Sequence, residues 1–169
     1  MSSTNLSTET SLESPEPATI DMKLEVINLP VSDVDRAKRF YQSLGWRLDG
    51  DLAVGDDFRA VQLTPPNSLC SITFGKGVTT AVPGSVQDLM LIVYDIDAAR
   101  DDLISRGVDV NDVYHYDTRP FHSAGTEARV PGPDPEGRSY FTWASFSDPD
   151  GNGWLLQEIK TRLPGREWE

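Results

Sequence analysis

The sequence predicts an α+β domain made of two copies of one β-α-β-β-β unit. Two observations predict it. The first is an internal repeat at an offset of 62 residues. Asp33-Val34-Asp35-Arg36-Ala37-Lys38 is echoed by Asp95-Ile96-Asp97-Ala98-Ala99-Arg100. The same offset carries Val31 to Val93, Gly45 to Gly107 and Leu48 to Val110. Two copies at so long a period are a pair sharing a core, not a solenoid. The second observation is that each copy reads alike: apolar strand, acidic cap, helix, glycine, then strand-like segments.

Residues 1–22 hold four acidic residues (Glu9, Glu13, Glu16, Asp21), no Lys or Arg, and many Ser and Thr. They are expected to be a disordered acidic tail. They lack the basic start and apolar stretch of a secretory signal, and the arginines of a transit peptide. The domain is expected over 23–163, with modules at about 23–80 and 86–163 and a short tail at 164–169.

The first module opens with the apolar segment from Leu24 to Val31. Asp33 suits an N-cap, because its carboxylate accepts free amide protons of the first helical turn. Val34, Ala37, Phe40, Tyr41 and Leu44 then recur at helical spacing. Gly45 ends the helix, taking a left-handed conformation at little cost. Three strand-like segments follow: Trp46 to Leu48, Phe58 to Leu63 and Ser71 to Phe74.

The second module repeats this with the strand from Val86 to Tyr94, the cap Asp95, apolar Ile96, Ala99, Leu103 and Ile104, and Gly107. Its later strands are expected at Val108 to His115, Tyr140 to Phe146 and Trp154 to Ile159. Asp148-Pro149-Asp150-Gly151-Asn152-Gly153 is a dense turn signal before the last strand. The segment 117–139 is rich in Pro and Gly and too long for a plain connector, which points to a lid or binding loop.

Composition narrows the function classes. The 169 residues suit one domain, and 38% hydrophobic with 25% charged residues supports a packed core. A net charge of -12 repels nucleic-acid phosphates and anionic membranes, so neither is expected as a partner. No apolar run approaches the ~18 residues of a membrane span. A single cysteine, Cys70, forms no internal disulfide, and with no targeting signal a cytoplasmic location is expected. Two histidines, His115 and His122, exclude a site with three His ligands within the chain.

The repeat, the helix start Val31-Ser32-Asp33-Val34-Asp35-Arg36-Ala37-Lys38-Arg39-Phe40-Tyr41 and the closing run from Ser147 to Glu158 resemble the vicinal oxygen chelate superfamily. That group includes glyoxalase I, extradiol dioxygenases and the fosfomycin and bleomycin resistance proteins. The resemblance implies a curled mixed sheet around a cleft, often completed by a homodimer. In metal-dependent relatives four strands supply the ligands, and these positions fall here at Val26, Thr73, Asp88 and Glu158. Valine has no donor atom and threonine is a weak one. Two carboxylates with water suit Mg²⁺ or Mn²⁺ better than zinc. The divalent metals left open are Mg, Mn, Ni and Zn. An iron dioxygenase needs two His and a carboxylate, and no ligand position here is His, so ring cleavage is excluded.

Several residues carry candidate chemistry. Glu158 shares a strand face with Trp154 and Leu156, where a carboxylate is poorly solvated and suited to act as a general base beside a carbonyl. The bland alternative is an exposed edge-strand glutamate. Asp88 is a metal or substrate ligand, or a turn residue. His115, beside the long loop, is a proton-transfer group or a satisfied strand-end histidine. His122 is expected to be solvated within the loop. Trp46, Phe58, Phe74, Tyr140, Trp143, Phe146 and Trp154 divide between core and cleft. Trp46, Thr73, Phe74, Trp154 and Arg138 are the expected substrate-binding residues. Arg119 and Arg129 join Arg138 as loop cations able to grip a carboxylate or phosphate.

Three functions remain. The first is a glyoxalase-like lyase or isomerase, with Glu158 taking a proton and His115 or a cation holding the enolate. The second is metal-independent binding and sequestration of a small molecule, which needs only an apolar cleft with a few polar anchors. The third is a partner-binding domain with a vestigial cleft.

Overall fold

A computed structural model describes residues 16, 18–118 and 121–166. Residues 1–15, most of the expected acidic tail, and Arg119 lie outside them. The first module comprises β1 (Val26–Asn28), α1 (Val34–Ser43), β2 (Arg47–Val54), β3 (Phe58–Thr64) and β4 (Ser71–Lys76). The second comprises β5 (Leu89–Val93), α2 (Ile96–Ser105), β6 (Tyr114–His115), β7 (Val130–Pro131), β8 (Thr142–Ser147) and β9 (Gly153–Glu158).

Each module forms its own mixed sheet. The strand orders are β1-β4-β3-β2 and β5-β9-β8-β6-β7. In both, the first strand lies parallel to the last, and the remaining pairs are antiparallel. The predicted α+β repeat is therefore the observed architecture.

The helix boundaries follow the expected chemistry. Asp33 accepts from the Arg36 amide at 2.9 Å, and Asp95 from the Ala98 amide at 3.0 Å. Gly45 and Gly107 follow the two helices at φ of 81° and 86°, the left-handed region that glycine enters cheaply.

Two departures from the expected elements have local causes. The strand expected from Val108 is regular only at Tyr114–His115. Before that, the chain runs beside β8 and Asn111 replaces ladder bonding: its amide donates to the Ser145 carbonyl, and its side chain accepts from the Ser145 amide. Arg100 also takes up the Asn111 carbonyl at 2.8 Å. The second departure is β7, a short strand drawn from the long loop. Pro131 lacks an amide proton, and β7 sits at the sheet edge, where that loss is tolerated.

One face of each sheet packs on the helices, and both faces merge into one core. Val61, Leu63, Ile72 and Phe74 join Ala37 and Tyr41 from the first module. Ala144, Phe146, Trp154 and Leu156 join Ile96 and Leu103 from the second. Trp46 meets Trp154 edge to face at 5.2 Å, so the modules share aromatic packing. Burying each large apolar side chain contributes roughly 1.5–3 kcal/mol.

A buried polar cluster ties the modules together. Asp148 accepts from the Tyr41 hydroxyl at 2.8 Å and from the Asn152 side chain at 2.8 Å. Its other oxygen accepts from the Asp150 and Asn152 amides. Asn152 also donates to the Pro30 carbonyl at 2.9 Å. The turn read from the sequence is thus a bolt between the halves.

Candidate functional site

Strand alternation divides the second sheet into two faces. Ala144, Phe146, Trp154, Leu156 and Glu158 point to the helix side. Trp143, Ser145, Leu155 and Gln157 point the other way. Register confirms this: Trp143 lies opposite both Gln157 and Tyr114, and Ser145 opposite Leu155, which lies opposite Met90. Tyr114, Tyr116, Trp143 and Leu155 form a second apolar cluster, separate from the main core.

The segment 121–129 lies across this cluster. The Tyr116 hydroxyl donates to the Ser123 carbonyl at 3.1 Å. His122 stands 6.0 Å from Trp143 between ring centroids, and its Nε2 is 3.1 Å from Asp88 Oδ1. Arg129 stacks its guanidinium 4.1 Å from the Tyr114 ring centroid. The rings form a chain, with Tyr114 to Tyr116 at 5.7 Å and Tyr116 to Trp143 at 6.3 Å.

Beneath this cover, several polar atoms are buried without a good hydrogen bond. They are Tyr114 Oη, Trp143 Nε1, both ring nitrogens of His122 and Arg129 Nε. Trp143 is 0% exposed and Tyr114 4%. A buried unmet donor or acceptor costs about 1–3 kcal/mol, so these five atoms leave the surface with hydrogen-bonding capacity that water or a ligand can meet. Burial pushes the Tyr114 phenol up, Arg129 opposes the shift, and Tyr116 and Asp88 add to it. Beside them lies a groove along β8. Its larger hollow, about 410 Å³, is lined by Asp109, Asn111 and Ser145 to Ser147. A smaller one, about 110 Å³, shares Ser145 to Ser147 and reaches Asp88, Arg129 and Leu155.

The residues expected to act together are placed apart. Glu158 lies on the helix side, not on the open face. Its carboxylate accepts from the Ile96 amide at 3.0 Å, at the start of α2, and pairs with Lys160 at 3.1 Å. His115 is buried on the same side as Thr142, with Nδ1 2.8 Å from the Gly132 carbonyl and Nε2 3.4 Å from Asp117. Trp46, Phe74 and Trp154 are core residues, at 6%, 0% and 4% exposure, rather than a cleft lining. Arg138 is held by Asp134, with bonds of 2.6 and 3.1 Å, and stacks on Phe141 at 3.9 Å. Thr73 does face away from α1, in register with Asn28 and Gln62.

The four metal positions implied by the resemblance do not make a donor set here. Val26 and Thr73 belong to the first sheet, while Asp88 and Glu158 belong to the second. Asp88 precedes β5 beside the start of β9, and Glu158 is at its far end. Five residues of strand separate those levels by roughly 16 Å, too far for one ion with ~2–2.5 Å bonds. Among the described residues, no three His, Cys, Asp or Glu side chains converge on a point. The residues present do not fit a divalent metal.

The groups around the open face were less legible. His122, expected in solvent, is mostly covered, with Nε2 3.1 Å from Asp88. Trp154-Leu155-Leu156 is apolar on both faces, so alternation alone does not say which face is covered by a helix. The signal that was available is the cap: once Ile96 begins a helix that packs on β9, the even-numbered positions belong to the core.

The chain is thus a pair of βαβββ modules around a shared helical core, with segment 121–129 lying over the outer face of the second sheet. The family comparison agrees with that geometry. Residues 23–156 match the Glyoxalase/Bleomycin resistance protein/Dioxygenase superfamily, and the chain belongs to it. Among solved structures, it is similar to TnmS3, an antibiotic binding protein from Streptomyces sp. CB03234. The identity is 29%, the TM-score 0.61, and the match covers 85% of this chain and 99% of that one. It is also similar to a glyoxalase/bleomycin resistance protein from the same organism, at 30% identity and TM-score 0.58, covering 80% and 100%. A superfamily member from Sphaerobacter thermophilus DSM 20745 shares 26% identity at TM-score 0.58, covering 82% and 98%. No curated protein matches the sequence. No helix among the described residues is long and apolar enough to cross a membrane.

Proposed function

We propose that this protein binds a small molecule on the open face of its second sheet, in the manner of an antibiotic-binding protein. The observation that carries the reading is the set of buried polar atoms without partners among the Tyr114, Tyr116 and Trp143 rings. An aromatic surface with a few polar anchors suits recognition without chemistry. The likeness to an antibiotic binding protein supports it. Because Trp143 and Tyr114 are covered, segment 121–129 must lift or shift as the ligand enters. By family resemblance, a second copy of the chain completes the cleft.

The test is a thermal-shift screen of an antibiotic panel, with Leu155→Glu as the control variant. A ligand at 100 times its Kd stabilises the fold by about 2.7 kcal/mol. Leu155 is 3% exposed, so Leu155→Glu sets a charge within the covered cluster; with its fold verified by circular dichroism, it is expected to abolish the shift. A panel that leaves the melting temperature unchanged contradicts the reading.

The Asp88–His122 pair favours a second reading, glyoxalase-like proton abstraction. Asp88 lies 3.1 Å from Nε2, close enough to stabilise a protonated ring, and an imidazole nitrogen with no hydrogen-bond partner is a base able to take a proton beside a carbonyl. Trp143, Tyr114 and Arg129 supply donors for the developing oxyanion. Exchange of a bound carbonyl compound's α-protons for deuterium, lost in His122→Gln, is the result this reading requires.

A further inference from the structure

The unmet polar atoms differ in what they can accept, and that difference selects among ligands; this step rests on the binding reading above. Trp143 Nε1 and Arg129 Nε only donate. The Tyr114 hydroxyl donates or accepts. Both His122 ring nitrogens are without a hydrogen bond, and a neutral imidazole offers one donor and one acceptor there. The set is weighted toward donors.

Charge points the same way. Arg129 is partly buried, its Nε has no hydrogen-bond partner, and its guanidinium rests on the Tyr114 ring. Other arginines are committed to carboxylates: Arg59 to Asp51 and Asp35, Arg100 to Asp112, Arg106 to Asp102 and Arg138 to Asp134. Arg129 therefore supplies positive charge at the groove of a chain whose net charge is -12. Asp88 lies beside the smaller hollow, 3.1 Å from His122 Nε2, and Asp109 lines the larger one, so the anionic oxygen is placed at the Arg129 end.

We propose that the site selects a flat aromatic molecule bearing an anionic oxygen, a carboxylate or phenolate. The oxygen meets Arg129 and the Trp143 indole, and the aromatic body lies along the groove at Ser145 to Ser147. The hollow of about 410 Å³ there falls within the usual range for ligand pockets. Recognition by Arg depends on its fixed fork of donors as well as its charge.

The test uses the full chain and calorimetric titration with three probes of one shape: 2-naphthoate, 2-naphthamide and 2-naphthylmethylammonium. The naphthoate is expected to bind at least about tenfold more tightly than the other two. Arg129→Gln is expected to remove that preference and leave the amide's affinity within about twofold. Equal affinities in the natural protein overturn the ligand class, as does a preference that survives Arg129→Gln. Tightest binding of the ammonium probe overturns it as well, and assigns the selection to the acidic surface. In these cases loss of binding in Leu155→Glu keeps the binding reading intact. Failure of all three probes to bind counts against that reading itself.

Discussion

Tyr41, on the first helix, donates its hydroxyl proton to Asp148, in the turn before the last strand, at 2.8 Å. The same hydroxyl accepts from the Trp154 indole at 3.0 Å. One tyrosine therefore joins a helix of one module to a turn and a strand of the other. Burial, then the charge of Asp148, push its phenol far above its ordinary range, so it stays a donor at any working pH.

Removing that hydroxyl leaves one oxygen of Asp148 with a single donor and the Trp154 indole with none. Tyr41→Phe is expected to destabilise the fold by about 1–3 kcal/mol. Asp148→Ala, which also strands Asn152 and two amides, is expected to cost more. Urea denaturation of both variants checks the order. Equal stability of Tyr41→Phe and the natural protein would show that the modules do not depend on this bond.

Glu158 sits where α2 begins, and its charge suits the free amides there. Glu158→Gln is expected to cost about 1 kcal/mol, the scale of a partly buried charge at a helix start. Ligand affinity at the open face is expected to stay the same. Paired urea and calorimetric titrations separate this from a catalytic role, which would instead remove turnover while sparing stability.

Asp134 provides a pH-dependent anchor for the loop. Hydrogen bonds from Arg138 hold its carboxyl below the ordinary range, with burial working against them. A group whose pKa is lower in the folded state stabilises that state above its unfolded value, about 3.9, and loses the contribution as pH falls through the folded value. Asp134→Asn is thus expected to be less stable than the natural protein at neutral pH. The gap should narrow below about pH 4. Denaturation midpoints at neutral and acid pH test it, and a gap that widens in acid contradicts the sign.

Gly84 lies between the modules at a φ of 78°, and a Cβ there would stand 2.0 Å from the Asp150 carbonyl oxygen. Both the left-handed backbone and the contact exclude a side chain. Gly84→Ala is expected to cost several times the ~1 kcal/mol of an ordinary left-handed substitution. A melting temperature within about 2 °C of the natural protein's would show that the linker moves freely away from the turn.

The sequence made the fold legible because its signals are local and duplicated. Asp33 and Asp95 cap as expected, and Gly45 and Gly107 end the helices as expected. The site was harder to read because its assignment depends on which side of a strand the helix covers. Glu158 and Trp154 do share a face, as alternation requires, but α2 occupies it. Trp46 and Phe74 are aromatic for the same packing reason as Tyr41. His122 escaped because it follows no periodic pattern and its partner, Asp88, is 34 residues away in sequence. Only the folded chain brings them within 3.1 Å.

The central claim, that the open face around Trp143 is where a ligand binds, is tested most directly by the indole N–H resonances. The chain has four tryptophans. In a titration with 2-naphthoate, the account predicts that the Trp143 indole signal, assigned by its loss in Trp143→Phe, moves to saturation. The Trp46 and Trp154 signals, buried in the core between modules, should stay in place. Movement of Trp46 or Trp154 with Trp143 unchanged would place the ligand elsewhere and contradict the account.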